Sequence, residues 1–153
     1  MATLEATVAR VASWDAELVC FAGKMHHAGL HERLDPKDAE ALAGAGARGV
    51  LVPLPGTVPG VGEALAAAMV EAAHEAGALA VGTIGTSQEG AGSETLEALA
   101  LAAKRIGVDV HHIGDAGFTG VARPESLYAY SVAIRGIRHT WNRMARSVRA
   151  SWE

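Results

Sequence analysis

Short apolar runs recur along the chain, and each is followed by a glycine-rich loop and then by a stretch with apolar residues at helical spacing. The runs cover residues 18–22, 50–54, 79–84 and 108–113. Runs of this length bounded by turn residues are typical of buried strands. The pattern therefore predicts four strands that alternate with helices, which favours a parallel sheet.

Helix start and stop signals lie between the runs. Asp35-Pro36 supplies an N-cap and a first-position proline for a helix that ends near Gly44. An alanine-rich helix begins at about Val61 and stops at Gly77. The next helix is predicted to be capped by Ser93 and to end at Lys104-Arg105-Gly107, while an amphipathic helix at about 3–13 precedes the first strand.

The four βα units have a regular length. The mid-strand residues Cys20, Leu51, Val81 and Val110 are separated by 31, 30 and 29 positions. About 30 residues per unit matches a (βα)8 barrel of roughly 250 residues, of which this chain has half the units. We predict a (βα)4 half-barrel with a leading N-terminal helix, which closes as a homodimer into a TIM-like (βα)8 barrel. A flavodoxin-like doubly wound monomer is the alternative.

Strand alternation separates two faces of the first strand. Val19, Phe21 and Met25 fall on one side, which we interpret as facing the helices, and Cys20, Ala22, Lys24 and His26 fall on the other, interpreted as the lumen side. Thr83 and His112 are predicted at comparable inward positions. A lone half-barrel exposes an apolar face and two strand edges, and a second copy of the chain would cover both.

The stretch 108–120, VDVHHIGDAGFTG, ends with three glycines in seven residues, and Pro124 then opens the last helix. Barrels often bind phosphate with the loops after their last two strands, through backbone N–H groups and hydroxyls. If the four units correspond to the C-terminal half of a barrel, the third and fourth loops hold these positions, and we predict there a site for a small anionic or phosphorylated metabolite. Its residues are Gly85, Thr86, Ser87, Gly114, Gly117, Thr119 and Gly120. Tight βα turns also need glycine for structural reasons alone.

Candidate catalytic groups lie near the strand ends: Lys24, His26, His112, Asp115 and Glu89. A desolvated lysine could act as a Schiff-base nucleophile or a general base, although such a lysine more often pairs with a carboxylate. The histidines and carboxylates could converge on a divalent metal, but no tight ligand spacing supports that, so we predict neither a metal nor a cofactor.

The last helix carries an apolar stripe with 3,4 spacing, and arginines fall largely off that stripe. The stripe is Leu127, Tyr130, Ile134, Ile137, Trp141, Met144 and Val148. An outer barrel helix with a solvated basic face explains this pattern, and a dimer-contact helix is the alternative. Nucleic-acid binding is disfavoured because no aromatic residues lie between the arginines on that face.

Composition limits the class of protein. The 153 residues are half apolar, the net charge is -4, and the mean hydropathy is +0.17. These values fit a single domain over 1–153. The negative net charge gives no overall electrostatic attraction to nucleic acid or to an anionic membrane. The single Cys20 excludes a disulfide framework, and no targeting signal is recognisable, so we expect a cytoplasmic protein.

Four segments carry a resemblance: FAGKMHHAG, LVPLPGTVPG, VGTIGTSQEGAG and the stretch from HIGDAGFTG through the last helix. They resemble the C-terminal half of a bacterial family of TIM-barrel proteins of uncharacterised function, often loosely labelled haloacid dehalogenase-like hydrolases. The resemblance covers nearly the whole chain. It implies a half-barrel without the first four βα units. No DxDx-type motif follows the first strand, so the label adds nothing to the expected chemistry.

Two classes of function remain open from the sequence. One is an enzyme with a composite site at the carboxyl ends of the strands of a dimeric barrel, with lyase, aldolase or hydrolase chemistry that uses Lys24. The other is a non-catalytic half-barrel that serves as a structural or ligand-binding module. Fold alone does not decide between them.

Overall fold

The computed structural model describes residues 1–24, 33–84, 88–114 and 122–149. Residues 147–149 are described by their backbone alone. The helices are α1 (Ala2–Ala12), α2 (Pro36–Gly44), α3 (Glu63–Glu75), α4 (Ser93–Ile106) and α5 (Pro124–Arg149). The strands are β1 (Phe21–Ala22), β2 (Gly49–Pro53), β3 (Leu79–Ile84) and β4 (Val110–Ile113), and a 3-10 helix spans Gln88–Gly90. The predicted α/β class with a leading helix is confirmed.

The four strands form one parallel sheet in the order β1-β2-β3-β4. Each strand therefore pairs with the next one along the chain, and the order never reverses. A doubly wound fold needs such a reversal, because only then do helices cover both faces of the sheet. The flavodoxin-like alternative is therefore wrong for the described sheet, whose topology is consistent with a half-barrel.

One face of the sheet packs against the helices. Ala22, Val50, Val52, Ala80 and Ile84 point to this face and are at most 6% exposed. They form a single apolar cluster with helix residues, which are Ala39, Leu42, Ala66, Met69, Leu96 and Ala100. Burial of this cluster is the main source of stability in such a layered domain.

The opposite face is open, and we call it the open face. Phe21, Leu79 and Val110 point to it and are 49%, 45% and 36% exposed. The ring of Phe21 lies over Gly49, where a Cβ atom would fall 2.6 Å from it. The helix residues of the buried cluster lie on the other face, whereas Val81, in the middle of the open face, is 3% exposed among its strand neighbours.

The faces of the first strand are the reverse of those predicted. Ala22 is 6% exposed and belongs to the helix-facing cluster, whereas Phe21 lies on the open face. Lys24 is on the helix side as well, since its ammonium contacts Asp38 of α2. The prediction of a lumen-facing Lys24 is therefore wrong. Alternation separates two sets of side chains, but it does not tell which set meets the helices.

Three helix ends follow from local chemistry. Asp35 caps α2 as predicted, and its side chain accepts from the Lys37 N–H, while Asp38 closes a capping box with the Asp35 N–H. The predicted cap of α4 is one residue off, because Gly92 is the N-cap and Ser93 is the first helical residue, with no side-chain cap bond. At its other end, Gly107 takes the left-handed conformation, with φ of 84°.

The last helix is not the continuous helix that its apolar spacing predicts. Gly136 has φ of 75° and ψ of 162°, which interrupts the helical backbone. Beyond this point the chain turns back, because Trp141 Nε1 donates to Tyr128 Oη at 3.1 Å and the hydroxyls of Ser131 and Thr140 are 3.1 Å apart. In a straight helix, residues 13 positions apart are about 20 Å apart along the axis. The two halves of α5 therefore form an antiparallel pair.

Two strands are shorter than predicted. At β1, Leu18 N–H donates to Asp15 O in a turn, so pairing with β2 is confined to Phe21 and Ala22. At β4, the predicted start at residue 108 moves to Val110. The predictions for β2 and β3 agree with the structure within one residue.

Candidate functional site

The carboxyl end of the open face carries a polar pair. Thr83 of β3 and His112 of β4 are register partners, so both side chains point to the open face, as predicted. His112 is exposed, and Thr83 is half-buried, with its hydroxyl 3.4 Å from the carbonyl oxygen of Val52. An imidazole and a hydroxyl side by side can bind a polar ligand group or exchange a proton with it.

Gly114 fixes the place of the His112 ring. A Cβ atom at position 114 would lie 2.5 Å from His112 Cε1 and 2.9 Å from the carbonyl oxygen of Ile84. Any larger residue would therefore displace the ring or separate the two strand ends. The N–H of Gly114 donates to Ile84 O at 2.9 Å. Because this N–H is already hydrogen-bonded to Ile84, it does not support the anion-binding role that the sequence suggested for Gly114.

Lys24 is held on the helix side of the sheet. Its Nζ donates to Asp38 Oδ2 at 3.0 Å and to the carbonyl oxygen of Arg33 at 3.0 Å. The Lys24 and Asp38 side chains are 7% and 10% exposed. Such a lysine stabilises the start of α2 against β1, and it lies across the sheet from His112 rather than beside it.

Glu89, in the 3-10 helix after β3, is 8% exposed. Within the described part of the chain, its Oε2 has no hydrogen-bond partner. A buried carboxylate oxygen without a donor is costly, and such groups are concentrated at functional sites. Glu89 is therefore the candidate catalytic residue whose unusual environment the structure best describes.

The remaining candidates lie outside the described residues. They are His26 and Asp115 among the catalytic candidates, and Gly85, Thr86, Ser87, Gly117, Thr119 and Gly120 among the phosphate-binding ones. Of the predicted set, the structure thus describes Lys24, Glu89, His112 and Gly114. It brings His112 and Gly114 together and separates Lys24 from both.

A cleft of about 540 Å³ opens beside the second loop, between residues 56–62 and Gln88. Gly56 and Gly60 have φ of 83° and 82°, and neither has an atom within 4 Å of the position of a Cβ. Their conformation shapes the loop. Since this loop follows β2, the cleft lies at the same end of the sheet as His112 and Glu89.

Two polar clusters on the helix side were not predicted. His111 Nδ1 and Tyr130 Oη are 3.0 Å apart, and burial, aided by the charge of Arg135, lowers the pKa of His111. Asp109 accepts from Ala80 N–H and pairs with His74 at 2.8 Å. Burial alone would raise the pKa of Asp109, but these two partners bring it below its usual value. No sequence spacing marks these contacts, because each joins residues from separate elements.

The described residues contain neither a metal-binding cluster nor a membrane-spanning helix. No group of three histidine, cysteine or carboxylate side chains is placed to hold a metal ion among them. None of the helices described is both long and apolar enough to cross a bilayer.

Comparison with known proteins places the chain in a family. No curated protein matches it. A family model described only as a domain of unknown function matches residues 2–150, nearly the full length. An uncharacterised family was predicted, and that part of the prediction is confirmed. The chain thus belongs to the family described as a domain of unknown function, DUF7916.

Proposed function

We propose that the protein is one half of a TIM-like (βα)8 barrel, that a second copy closes the barrel, and that the carboxyl ends of the strands bind a small anionic metabolite. The observation that carries the proposal is the open face, with Phe21, Leu79 and Val110 exposed to water. Contiguous apolar patches of this kind on a soluble domain mark interaction sites.

The strand edges support the same arrangement. Within the described sheet, β1 pairs only with β2 and β4 only with β3, so one edge of each strand has unpaired N–H and C=O groups. Two-fold closure would pair β1 of each copy with β4 of the other, and it would bury both open faces. One two-fold dimer contact would then both pair the strand edges and bury the open faces.

Ligand binding is assigned to the carboxyl end because His112, Thr83 and Glu89 all lie there. In a closed barrel this end would carry these residues twice, around one central mouth, where barrel enzymes bind their substrates. The His112 imidazole would recognise an anionic group, and Glu89 Oε2, which has no partner among the described residues, would accept a hydrogen bond from a ligand hydroxyl or amine.

A non-catalytic ligand-binding module is the second candidate, and the surroundings of Lys24 favour it. A Schiff-base lysine needs access to a carbonyl substrate and a free amine. The Lys24 ammonium instead pairs with Asp38 and the Arg33 carbonyl on the helix side. Borohydride trapping with a panel of carbonyl metabolites distinguishes the two, since an adduct at Lys24 would restore the enzyme interpretation.

Light scattering after size exclusion tests the closure. We expect a species of twice 15.7 kDa. Leu79→Asp on the open face should dissociate it, whereas the matched change Leu101→Asp on α4 should not, because both leucines are 45% exposed and only Leu79 lies on the open face. A monodisperse 15.7 kDa wild type with native circular dichroism would exclude the dimeric barrel.

Calorimetric titration with inorganic phosphate tests the ligand site. The dimer should bind phosphate, and His112→Ala should weaken binding by about tenfold, as expected for loss of one hydrogen bond to a charged group. Equal affinity in wild type and His112→Ala would remove His112 from the site.

A further inference from the structure

The second half of α5 contacts the first half through Trp141 and Thr140 and is otherwise largely exposed. Of residues 137–146, which we call the α5 arm, nine of ten are exposed and only Thr140 is buried. Ile137, Trp141 and Met144 follow one another at helical spacing and are 48%, 56% and 55% exposed. An apolar stripe of this kind on an amphipathic helix indicates a missing partner.

The charge of α5 indicates what that partner carries. Five arginines and one glutamate between Pro124 and Arg149 give the helix +4, and because the whole chain carries -4, all its other residues together carry -8. A second copy of the chain is therefore electrostatically complementary to α5.

A matching surface lies at the opposite edge of the sheet, just before β1. All six residues of the segment 14–19 are exposed, and Trp14, Leu18 and Val19 are 69%, 42% and 61% exposed. The segment also contains two acids, Asp15 and Glu17. The Glu17 N–H donates to Asp15 Oδ1, which ties Asp15 into a local turn. The Asp15 side chain is therefore part of this turn, whereas the Glu17 side chain is not.

The topology places the two surfaces on opposite flanks of one protomer. Segment 14–19 leads into β1, and α5 follows β4 and packs on α4. The first part of α5, 12 residues before Gly136, is about 18 Å long and so returns to the amino ends of the strands. Segment 14–19 precedes β1 at that same end. Pairing of β4 with the β1 of a second copy would therefore bring the start of the α5 arm beside the other copy's segment 14–19.

The area of the open face also requires a flanking contact. The 17 strand residues, at about 3.3 Å per residue in strands about 4.8 Å apart, cover roughly 270 Å² in projection. A stable protein interface buries about 800 Å² on each partner. The open face alone is therefore too small, and the exposed apolar residues on the two flanks supply additional surface.

We propose that the α5 arm of each protomer docks on segment 14–19 of a second copy, with Arg138 paired to Glu17, and that two such seams flank the closed barrel. The inference rests on the proposed dimeric barrel. Arg138 is chosen because it is the first arginine after the bend at Gly136, at the amino ends of the strands. Ile137 and Trp141 would pack against Trp14 and Leu18 there.

A charge-swap cycle tests the seams on the full chain. Arg138→Glu and Glu17→Arg are each expected to weaken dimerisation by about tenfold in sedimentation equilibrium, because each places like charges together. The double variant restores the opposite pair and should return to within about threefold of wild type. Glu97→Arg, the same change on an exposed position of α4, is the control and should leave the dimer unchanged. Circular dichroism verifies that each variant is folded.

The outcomes separate the seams from the barrel itself. A wild-type dimer that Arg138→Glu and Glu17→Arg weaken no more than Glu97→Arg would overturn the seams and leave barrel closure standing. Single variants that weaken the dimer without rescue in the double variant would overturn the Arg138–Glu17 pair. A monomeric wild type would overturn both proposals, and its co-sedimentation with anionic phosphatidylserine vesicles would assign the arm to a membrane surface instead.

Discussion

The ammonium of Lys24 lies 3.0 Å from the carboxylate of Asp38, and the two side chains are 7% and 10% exposed between β1 and α2. The same carboxylate accepts from the N–H of Asp35, the N-cap of α2. One oxygen atom thus joins an ion pair to a helix cap. Removal of Asp38 would leave a buried ammonium without its carboxylate partner and would also remove the capping-box bond to the Asp35 N–H, while Asp35 would still cap the helix through its own side chain.

Asp38→Ala is therefore expected to lower the free energy of unfolding by about 3 kcal/mol, the usual effect of breaking a buried pair from one side. Urea denaturation monitored by circular dichroism measures it. Glu40→Ala, on an exposed position of the same helix, is the control and should change the stability by less than about 0.5 kcal/mol. A loss for Asp38→Ala as small as that of the control would show that the pair is solvated.

Gly114→Ala tests the contact that positions His112. The added methyl group would meet the His112 ring and the Ile84 carbonyl, so we expect a loss of about 1–3 kcal/mol and a changed chemical environment of the ring. Denaturation and the imidazole C–H signals in NMR measure the two effects.

Gly44→Ala is the matched control for the added methyl group, since its Cβ would have no atom within 4 Å and the residue ends α2. That change should be neutral or slightly stabilising. Unaltered His112 signals in Gly114→Ala would contradict the predicted contact.

Glu89→Met tests the cost of burying the Oε2 atom, for which the described part of the chain offers no hydrogen-bond donor. The methionine has a similar length and no polar group to satisfy, so the free energy of unfolding should rise by about 1–2 kcal/mol. Glu94→Met, at an exposed position of α4, should leave it nearly unchanged. If Glu89→Met lowers the stability, the carboxylate has a stabilising partner. A stabilised variant that binds phosphate like wild type would make Glu89 dispensable for that ligand.

The parts of the fold that depend on local pattern were predictable. Short apolar runs located the four strands, and Asp35-Pro36 and Gly107 located helix ends, because capping and chain reversal depend on neighbours in sequence. The side of the sheet on which Lys24 lies was not predictable in this way. Its partner Asp38 is on another element, and alternation alone does not assign either set of side chains to the helices.

The candidate site was predictable to a smaller extent. His112 and Thr83 were predicted at inward positions, and the register of β3 and β4, which the sequence does not fix, makes them neighbours on the open face. The burial of Glu89 and the pairing of His111 with Tyr130 depend on packing between elements, which no spacing in the sequence records. The bend at Gly136 was missed because the apolar spacing continues across it, although the residues beyond it are exposed.

His111 predicts a pH dependence of stability. Burial first, and then the charge of Arg135, lower its pKa from the ordinary 6.5 in the folded protein. The unfolded chain therefore binds more protons as the pH falls below about 6.5, so protonation of this residue favours unfolding there. The stability associated with neutral His111 should be full above that pH and decline below it.

Thermal unfolding between pH 7.5 and 5.5 measures this effect. His111→Gln, which cannot titrate, should unfold at a temperature that depends less on pH over this range. Asp109 does not interfere, because its pKa is lowered from 3.8 and its contribution is lost only in more acidic solution. An equal pH dependence in wild type and His111→Gln would mean that other groups cause it.

Gly136→Ala tests the bend of α5. The backbone at Gly136, with φ of 75° and ψ of 162°, lies in a region that is essentially restricted to glycine, where other residues incur about 1–3 kcal/mol of strain. The substitution can relieve this strain if α5 straightens, since alanine favours a helix. Straightening would break the contacts of Trp141 with Tyr128 and of Thr140 with Ser131.

Distances between spin labels at exposed positions 125 and 143, introduced in a Cys20→Ser background, report the change in α5. They should lengthen towards the roughly 27 Å that 18 helical residues span. Gly44→Ala in the same labelled background is the control for an added methyl group and should keep the short distance. A short distance retained in Gly136→Ala would show that the packing between the two halves of α5 outweighs the strain.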